Sequence, residues 1–401
     1  MRIMVDRREF LRLGMATGLG LLAGCRQSVT PMETKAPVVT PQLSPEEGYE
    51  FIVRNRRPKD LETPVEVFES YLTPNERFFV RSHHPEPKVS QAEWRLQIQL
   101  SGSKAIDLSF DDLTAFQSAT VTAVLQCAGN SRGLYRPAVP GVQWGRGAVG
   151  NARWSGARLA DVLAKAGVDG DSPRNVVVSG ADKPLMKTVP VFERNLPLSK
   201  CLHPDTLLAY EMNGEPLPSL HGGPVRLVVP GWVGDDWIKW VTSISVQEEP
   251  SDGFYYQKGY RYPDIAVKPG DAVPPESMKP MEELVTRSLF SSPSQGAGVS
   301  RSEPVTLKGV GWTGGDKTIE KIEVSDDGGK NWKEARFLGK AEPYAWRQWE
   351  LSWQPGEAGP IELLCRATDS SGFVQPVEDS PWNPGGYLWR SADRLQLEVQ
   401  S

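Results

Sequence analysis

Cysteine is scarce in this chain. Its 401 residues hold four, Cys25, Cys127, Cys201 and Cys365, too few and too scattered for a disulfide framework. No Cys-x-x-Cys-His occurs, so no c-type haem is attached to it. Apolar residues are thin at 39%, and the one apolar run near the N-terminus is too short to span a bilayer as a mature helix. Positive charge is in deficit, with 45 basic residues against 50 acidic. Setting aside residues 1–24, with four arginines and two acids, leaves 41 against 48, which argues against a nucleic-acid partner. An anionic substrate is still open, because a local arginine cluster outweighs charge beyond a screening length of ~10 Å.

Turn formers, by contrast, are plentiful. The 38 glycines and 34 prolines point to a loop-rich, β-containing architecture, and the length favours two domains. Arg7, Arg8, Glu9, Phe10 and Leu11 form a twin-arginine export motif, followed by the apolar run Leu13 to Ala23. Leu22 to Cys25 reads as a lipobox, after which Cys25 would be the lipidated N-terminus; a plain cleaved signal with an incidental cysteine is the alternative. Residues 26–48, rich in Pro, Thr, Ser and Gln, read as a flexible tether.

The chemistry centres on residues 125–132. The β-branched run Thr120 to Gln126 reads as a strand that delivers Cys127 into a turn. Gly129 and Asn130 tolerate the φ > 0 conformations such a turn needs. Arg132 follows. A thiol beside a guanidinium can ionise to a soft metal ligand or a nucleophile; alone, it is as readily a buried structural thiol. Phe78 to Val80 read as a buried strand ending in Arg81, with His83 and His84 beyond. Pro224 to Pro230 is an apolar run interrupted by Arg226, with His221 five residues before and Lys239 thirteen after. A charge inside a buried strand needs a partner, either a bound phosphate or a salt bridge. Leu159, Val162, Leu163 and Ala166 keep helical spacing, with Gly167 as the stop. Phe254 to Tyr260 reads as an aromatic strand and residues 263–280 as a Pro-rich linker. From about residue 281, short strands at regular spacing predict an immunoglobulin-like β-sandwich.

Taken together, Phe-Phe-Val-Arg-Ser-His, Leu-Gln-Cys-Ala-Gly-Asn-Ser-Arg and His-Gly-Gly-Pro-Val-Arg-Leu-Val-Val-Pro-Gly, in this order, resemble the sulfite oxidase family of molybdopterin enzymes. The resemblance implies an α+β fold: a molybdopterin-binding domain over residues 49–262, then a dimerisation sandwich over 281–401. It implies molybdenum–molybdopterin as cofactor, with Cys127 as the one protein ligand to the metal. Arg81, Arg132, Trp144 and Tyr260 would form the substrate pocket, and His83, His221, Arg226 and Lys239 would hold the pterin and its phosphate. Packing is the default role of Trp144 in a chain with 13 tryptophans.

Two departures from the family stand out. Asp235 and Asp236 occupy positions where a basic residue is often found, and are expected to point away from the phosphate. Gly385 stands where the family sends an arginine to the substrate, and neither Arg390 nor Arg394 is in register to replace it. The implied activity is oxidation of sulfite to sulfate, in the periplasm, with electrons passing to a separate acceptor such as a c-type cytochrome. A relative acting on another sulfur compound or on nitrate, and a non-catalytic lipoprotein binding module, are the alternatives.

Overall fold

The computed structural model describes residues 50–100, 105–170, 175–378 and 380–401; the export signal, Cys25 and the tether lie outside these. From Gly48 to Ser401 the chain forms one compact unit. Helices are few and short, and the helical spacing at 159–166 gives Leu159–Lys165, stopped by Gly167 at φ +88°.

One sheet builds the floor of the site. Ser118–Gln126 pairs antiparallel with Val149–Arg158 over its whole length, and Leu207–Met212 joins on the other side. Burial deepens along Ser118–Gln126, from an exposed start to four buried residues at its end. The strand therefore drives into the core and releases the chain at Cys127, whose N–H donates to the Ala148 carbonyl at 2.9 Å. In the tight turn that follows, Asn130 N–H returns to Cys127 O and Arg132 N–H to Gly129 O, each at 2.9 Å. The left-handed residue is Ser131, at φ +71°, and neither Gly129 nor Asn130 as the sequence had implied. Glycine is needed at 129 for space: a Cβ there would stand 2.5 Å from the Arg132 guanidinium.

A second sheet runs in the order Ile106–Ser109, Arg95–Leu100, Val241–Gln247, Asn175–Gly180, Glu193–Pro197. It positions Arg194 and, just before Val241, Lys239. A three-stranded sheet of Ile52–Arg56, Lys59–Glu62 and Val80–Arg81 sets Arg81 opposite Asp60. Only Val80 and Arg81 of the expected apolar strand are extended ladder, although Phe78 and Phe79 are buried as expected.

The C-terminal region has two sheets. One has four strands, Arg287–Ser292, Val305–Trp312, Arg347–Trp353 and Arg336–Leu338; the other is built around Asp393–Gln400, Gly359–Asp369 and Ile319–Ser325. Asp393–Gln400 alternates strictly between buried and exposed, the period of a strand with one face on a core. Leu307, Ile322, Trp349, Leu363 and Leu395 fill the space between the sheets, giving the β-sandwich the strand spacing predicts.

Two local expectations need correction. Phe254–Gln257 is a short helix instead of a strand, and Tyr260 follows at φ +51°. The ends of the 263–280 segment pair with each other, Arg261–Pro263 against Met278–Pro280, so the linker is a closed excursion. The sandwich also buttresses the cysteine turn directly. Trp312 Nε1 donates to Gln126 Oε1 at 2.6 Å, and Arg287 Nη2 donates to Ser131 Oγ at 3.0 Å.

Candidate active site

Cys127 faces a cavity. Arg81, His83, His221, Arg226, Lys239 and Tyr260 share its wall, although 179 residues separate the first from the last. Each is placed by a different element. Arg81 ends its short strand with Nη1 3.1 Å from the buried Asp60 carboxylate. Burial works against its charge, but the paired Asp60 carboxylate holds it, so Arg81 is a fixed cation. His83 Nε2 lies 2.5 Å from Tyr260 Oη, and its ring stacks on Phe192 at 3.7 Å. Burial, then the nearby Arg81 charge, holds His83 far below the usual histidine range, so it is neutral.

The basic end of the cavity is short of negative charge. Arg226 is fully buried, donates to the His221 and Trp237 carbonyls at 2.9 and 3.0 Å, and leaves Nε without a partner. Burial alone draws its pKa down to about 9. Lys239 Nζ reaches Ser82 Oγ at 2.9 Å and the Leu220 carbonyl at 3.2 Å, and burial with the Arg226 charge pulls it to about 7. His221 Nε2 donates to the Asn75 carbonyl at 2.7 Å and is lowered to about 4, chiefly by burial. Among the described residues no carboxylate forms an ion pair with these three bases, Asp182 on the same wall acting on Lys239 only at longer range, and they fit an anion that the protein itself does not supply.

Those shifts predict a proton count. In the anion-free protein Lys239 is mostly neutral at pH 8, and a phosphate beside it restores the ordinary lysine value. Titrating cofactor-free protein with inorganic phosphate at pH 8 is therefore expected to take up about one proton per site. Calorimetry in two buffers of different ionisation enthalpy reads this directly. Equal heats in both buffers, or the same uptake in Lys239→Met, would contradict it.

Asp235 and Asp236 do point away from the three bases, but Asp235 lines the cavity toward Cys127 instead of leaving it. Both pair with Arg194, with Nη2 2.9 Å from Asp235 and Nε 2.8 Å from Asp236. One guanidinium serves two buried carboxylates, and burial raises the pKa of each. Arg194 also lies 5.3 Å from the centroid of Tyr260. Sequence reasoning missed Arg194; its one signal is a charge within Glu193–Pro197, a strand buried at its centre.

Two expected pocket residues stand back from this cavity. Trp144 is fully buried and meets the cavity-lining Phe79 edge to face at 6.5 Å. Arg132 is buried beside Cys127, with Nε donating to Gly385 O at 2.9 Å and Nη1 to Val142 O at 3.2 Å. Its charge still reaches the cysteine. Burial raises the Cys127 thiol, while Arg132 and then Arg81 oppose that rise without overcoming it. The neighbouring cations alone thus do not ionise this thiol; a bound metal ion would. Of the candidates to replace the arginine absent at 385, Arg394 pairs with Glu362 at 2.6 Å on an exposed face, and Arg390 does not line the cavity.

Among the described residues no group of three or more His, Cys, Asp or Glu gathers to hold a metal. Cys127 is the single soft donor at the cavity. A metal bound there must arrive with most of its donors already attached, as it does on a pterin dithiolene, and the unpaired bases then meet the pterin's phosphate. The residues fit that group.

Comparison with known proteins agrees with this geometry. Residues 83–255 match the family model for the oxidoreductase molybdopterin binding domain, and residues 278–396 match the Mo-co oxidoreductase dimerisation domain. Chicken (Gallus gallus) sulfite oxidase is 40% identical over 351 residues, covering 84% of this chain and 75% of the chicken protein. Sulfite oxidase of Arabidopsis thaliana is 33% identical over 372 residues, covering 86% and 93%. The mouse (Mus musculus) mitochondrial sulfite oxidase is 39% identical over 360 residues; the match covers 86% of this chain but only 65% of that protein's length. The sulfane dehydrogenase SoxCD of Paracoccus pantotrophus superposes with a TM-score of 0.67 at 28% identity, covering 88% of this chain and 87% of that one. The chain belongs to the sulfite oxidase family of molybdopterin-dependent oxidoreductases.

Proposed function

We propose that this protein oxidises sulfite to sulfate at a molybdenum–molybdopterin centre and passes the electrons to a separate acceptor, a c-type cytochrome. The observation that carries the reading is the cavity itself, with a lone cysteine and a fixed arginine at one end and a nest of unpaired bases at the other. Cys127 would ligate the metal. Lys239, Arg226 and His221 would hold the phosphate, and His83 would border the pterin. The cofactor supplies the two-electron chemistry and the oxygen transfer.

The chain's own residues bind and orient. Arg81, locked by Asp60, offers a rigid fork of N–H donors to an oxyanion. Arg132 adds a second cation next to the cysteine. Tyr260 keeps its proton, since burial raises its pKa well above the usual value, and can donate it to an oxyanion or to neutral His83.

A sulfane-type substrate is the second reading, favoured by the superposition on SoxCD and by the glycine at 385. Molybdenum analysis with steady-state assays on sulfite, thiosulfate and nitrate separates the possibilities. Stoichiometric molybdenum and rapid sulfite turnover stimulated by cytochrome c are expected. Absence of molybdenum would favour a binding module, and turnover of thiosulfate alone would favour the second reading. Export by the twin-arginine route, a lipid anchor at Cys25 and a homodimer complete the proposal. Mass spectrometry of the mature N-terminus and sedimentation of the purified protein test the last two.

A further inference from the structure

The segment between Gly359–Asp369 and Asp393–Gln400 does not stay on the sandwich. Residues 382–389 return to the cysteine turn and are strapped to it. Leu388 N–H donates to Ala128 O at 3.0 Å, and Trp382 Nε1 to Pro137 O at 3.1 Å. Tyr135 Oη donates to Tyr387 O at 2.6 Å, while Asn383 Oδ1 accepts the Tyr387 N–H at 3.0 Å. The backbone of Tyr387 is thereby fixed from both sides.

Its ring is fixed as well. It stacks on Tyr260 with centroids 5.6 Å apart and planes at 25°, and the Arg132 guanidinium lies 5.1 Å from its centroid. A Cβ at Gly385 would come within 2.2 Å of this ring, and one at Gly386, at φ +56°, within 2.8 Å of Arg132 Cγ. The two glycines are thus the condition for a tyrosine to occupy this place. The ring lies close enough to the cavity-lining Cys127 and Asp235 for their charges to act on its phenol. Among the described residues nothing accepts the phenol's own proton. Among the described residues Arg132 Nη2 likewise has no hydrogen-bond partner, since Gly385 and Val142 take Nε and Nη1.

We propose that Tyr387 is the substrate-positioning residue that the C-terminal region sends into the site: its phenol O–H donates to an oxygen of the bound sulfur oxyanion, next to the free face of Arg132. A phenol adds a donor without adding charge. The cup then holds its anion with Arg81 on the wall and Arg132 behind it, plus neutral donors from Tyr260 and Tyr387. Gly385 belongs to this arrangement because any side chain there displaces the ring.

The inference rests on the oxyanion-oxidising reading above, and its test can fail separately. Tyr387→Phe keeps the ring, the stack and the strap, and removes only the donor. In molybdenum-loaded protein it is expected to raise the KM for sulfite about tenfold, the effect of losing one hydrogen bond to a charged group, with kcat within about twofold. The affinity for sulfate, measured by calorimetry on the oxidised protein, is expected to weaken by the same factor. The melting temperature is expected to stay put, which a merely structural tyrosine would not predict together with the KM change. Gly385→Ala, which pushes the ring aside with the hydroxyl intact, is expected to reproduce the KM shift. Wild-type KM and sulfate affinity in Tyr387→Phe, or a fall in kcat alone, would overturn the assignment. If the wild type fails to turn over sulfite, the functional reading falls, and the sulfate affinities of wild type and Tyr387→Phe still decide the role of Tyr387.

Discussion

Replacing Arg226 with methionine is expected to strip the protein of its cofactor while leaving the empty fold close to wild-type stability. Two opposed terms produce this. The guanidinium is fully buried with no carboxylate partner, so its desolvation costs several kcal/mol in the empty protein. Against that, it satisfies the His221 and Trp237 carbonyls and rests between Trp154 and Trp237, at 5.0 and 5.8 Å from their centroids. Hydrogen bonds from a charged donor contribute about 1.5–3 kcal/mol each, so the terms are of similar size and opposite sign. Methionine fills the volume with a flexible apolar chain. The stability of cofactor-free protein should then change by less than about 2 kcal/mol.

With the phosphate present only one side of this balance remains. Removing one partner of a buried charge pair costs about 3–5 kcal/mol, or a 10²–10⁴-fold loss of retention at about 1.4 kcal/mol per decade. Metal analysis and pterin fluorescence of purified protein, beside calorimetric unfolding of the cofactor-free form, read the two effects separately. Wild-type molybdenum content in Arg226→Met would remove the phosphate site from this end of the cavity.

Cys127→Ser is the second large effect. Serine preserves the turn, because the backbone bonds from Cys127 to Ala148 and Asn130 do not involve the side chain. The residue is 8% exposed, at the cavity wall, so the smaller oxygen opens little new space. What changes is the ligand. A serine hydroxyl is harder and far less acidic than a thiol, and a soft donor is what this position offers a heavy metal. Loss of an outer-shell partner alone lowers metal affinity or activity about 10–100-fold, so loss of the sole protein ligand should exceed about 100-fold in sulfite turnover. The melting temperature should move by only a few degrees. Undiminished turnover would exclude Cys127 as the ligand.

The pH behaviour of the empty site gives an independent check on the same residues. His221 is held near 4 when folded, against an ordinary value of 6.5. Its neutral form therefore stabilises the protein fully above pH 6.5, and that contribution is lost as the pH falls through about 4. Lys239, held at about 7 against 10.5, acts in the same direction at higher pH. Unfolding free energy of cofactor-free protein is expected to fall on acidification in both windows, and His221→Asn should flatten the acid one. A cofactor-free protein equally stable at pH 4 and pH 7 would contradict the burial of His221.

Much of this was legible before any coordinates. The strand into Cys127, the buried strand carrying Arg226, the helix at 159–165 and the sandwich strands follow from local patterning, because alternation and helical spacing record which face is buried, whereas His221 and Lys239 stand out only through the family resemblance. The local errors share one cause. An aromatic run such as Phe254 to Tyr260 says that a surface is apolar, and only the neighbours decide whether it lies on a sheet or coils beside it. The left-handed position lies at Ser131, while Gly129 leaves the space that the Arg132 guanidinium occupies.

By itself the sequence determined which residue types could do the chemistry: one soft donor, the guanidiniums and the bases, each with its strand or turn. Tertiary structure alone decided their pairing. Arg194 pairs with both Asp235 and Asp236, Asp60 fixes Arg81, and Tyr387 fills the place left open at Gly385, over separations from 21 residues (Asp60 to Arg81) to more than 250 (Arg132 to Gly385). Charge and hydrogen-bond partnership depend on distance and burial in space, and neither quantity is written in the order of the chain.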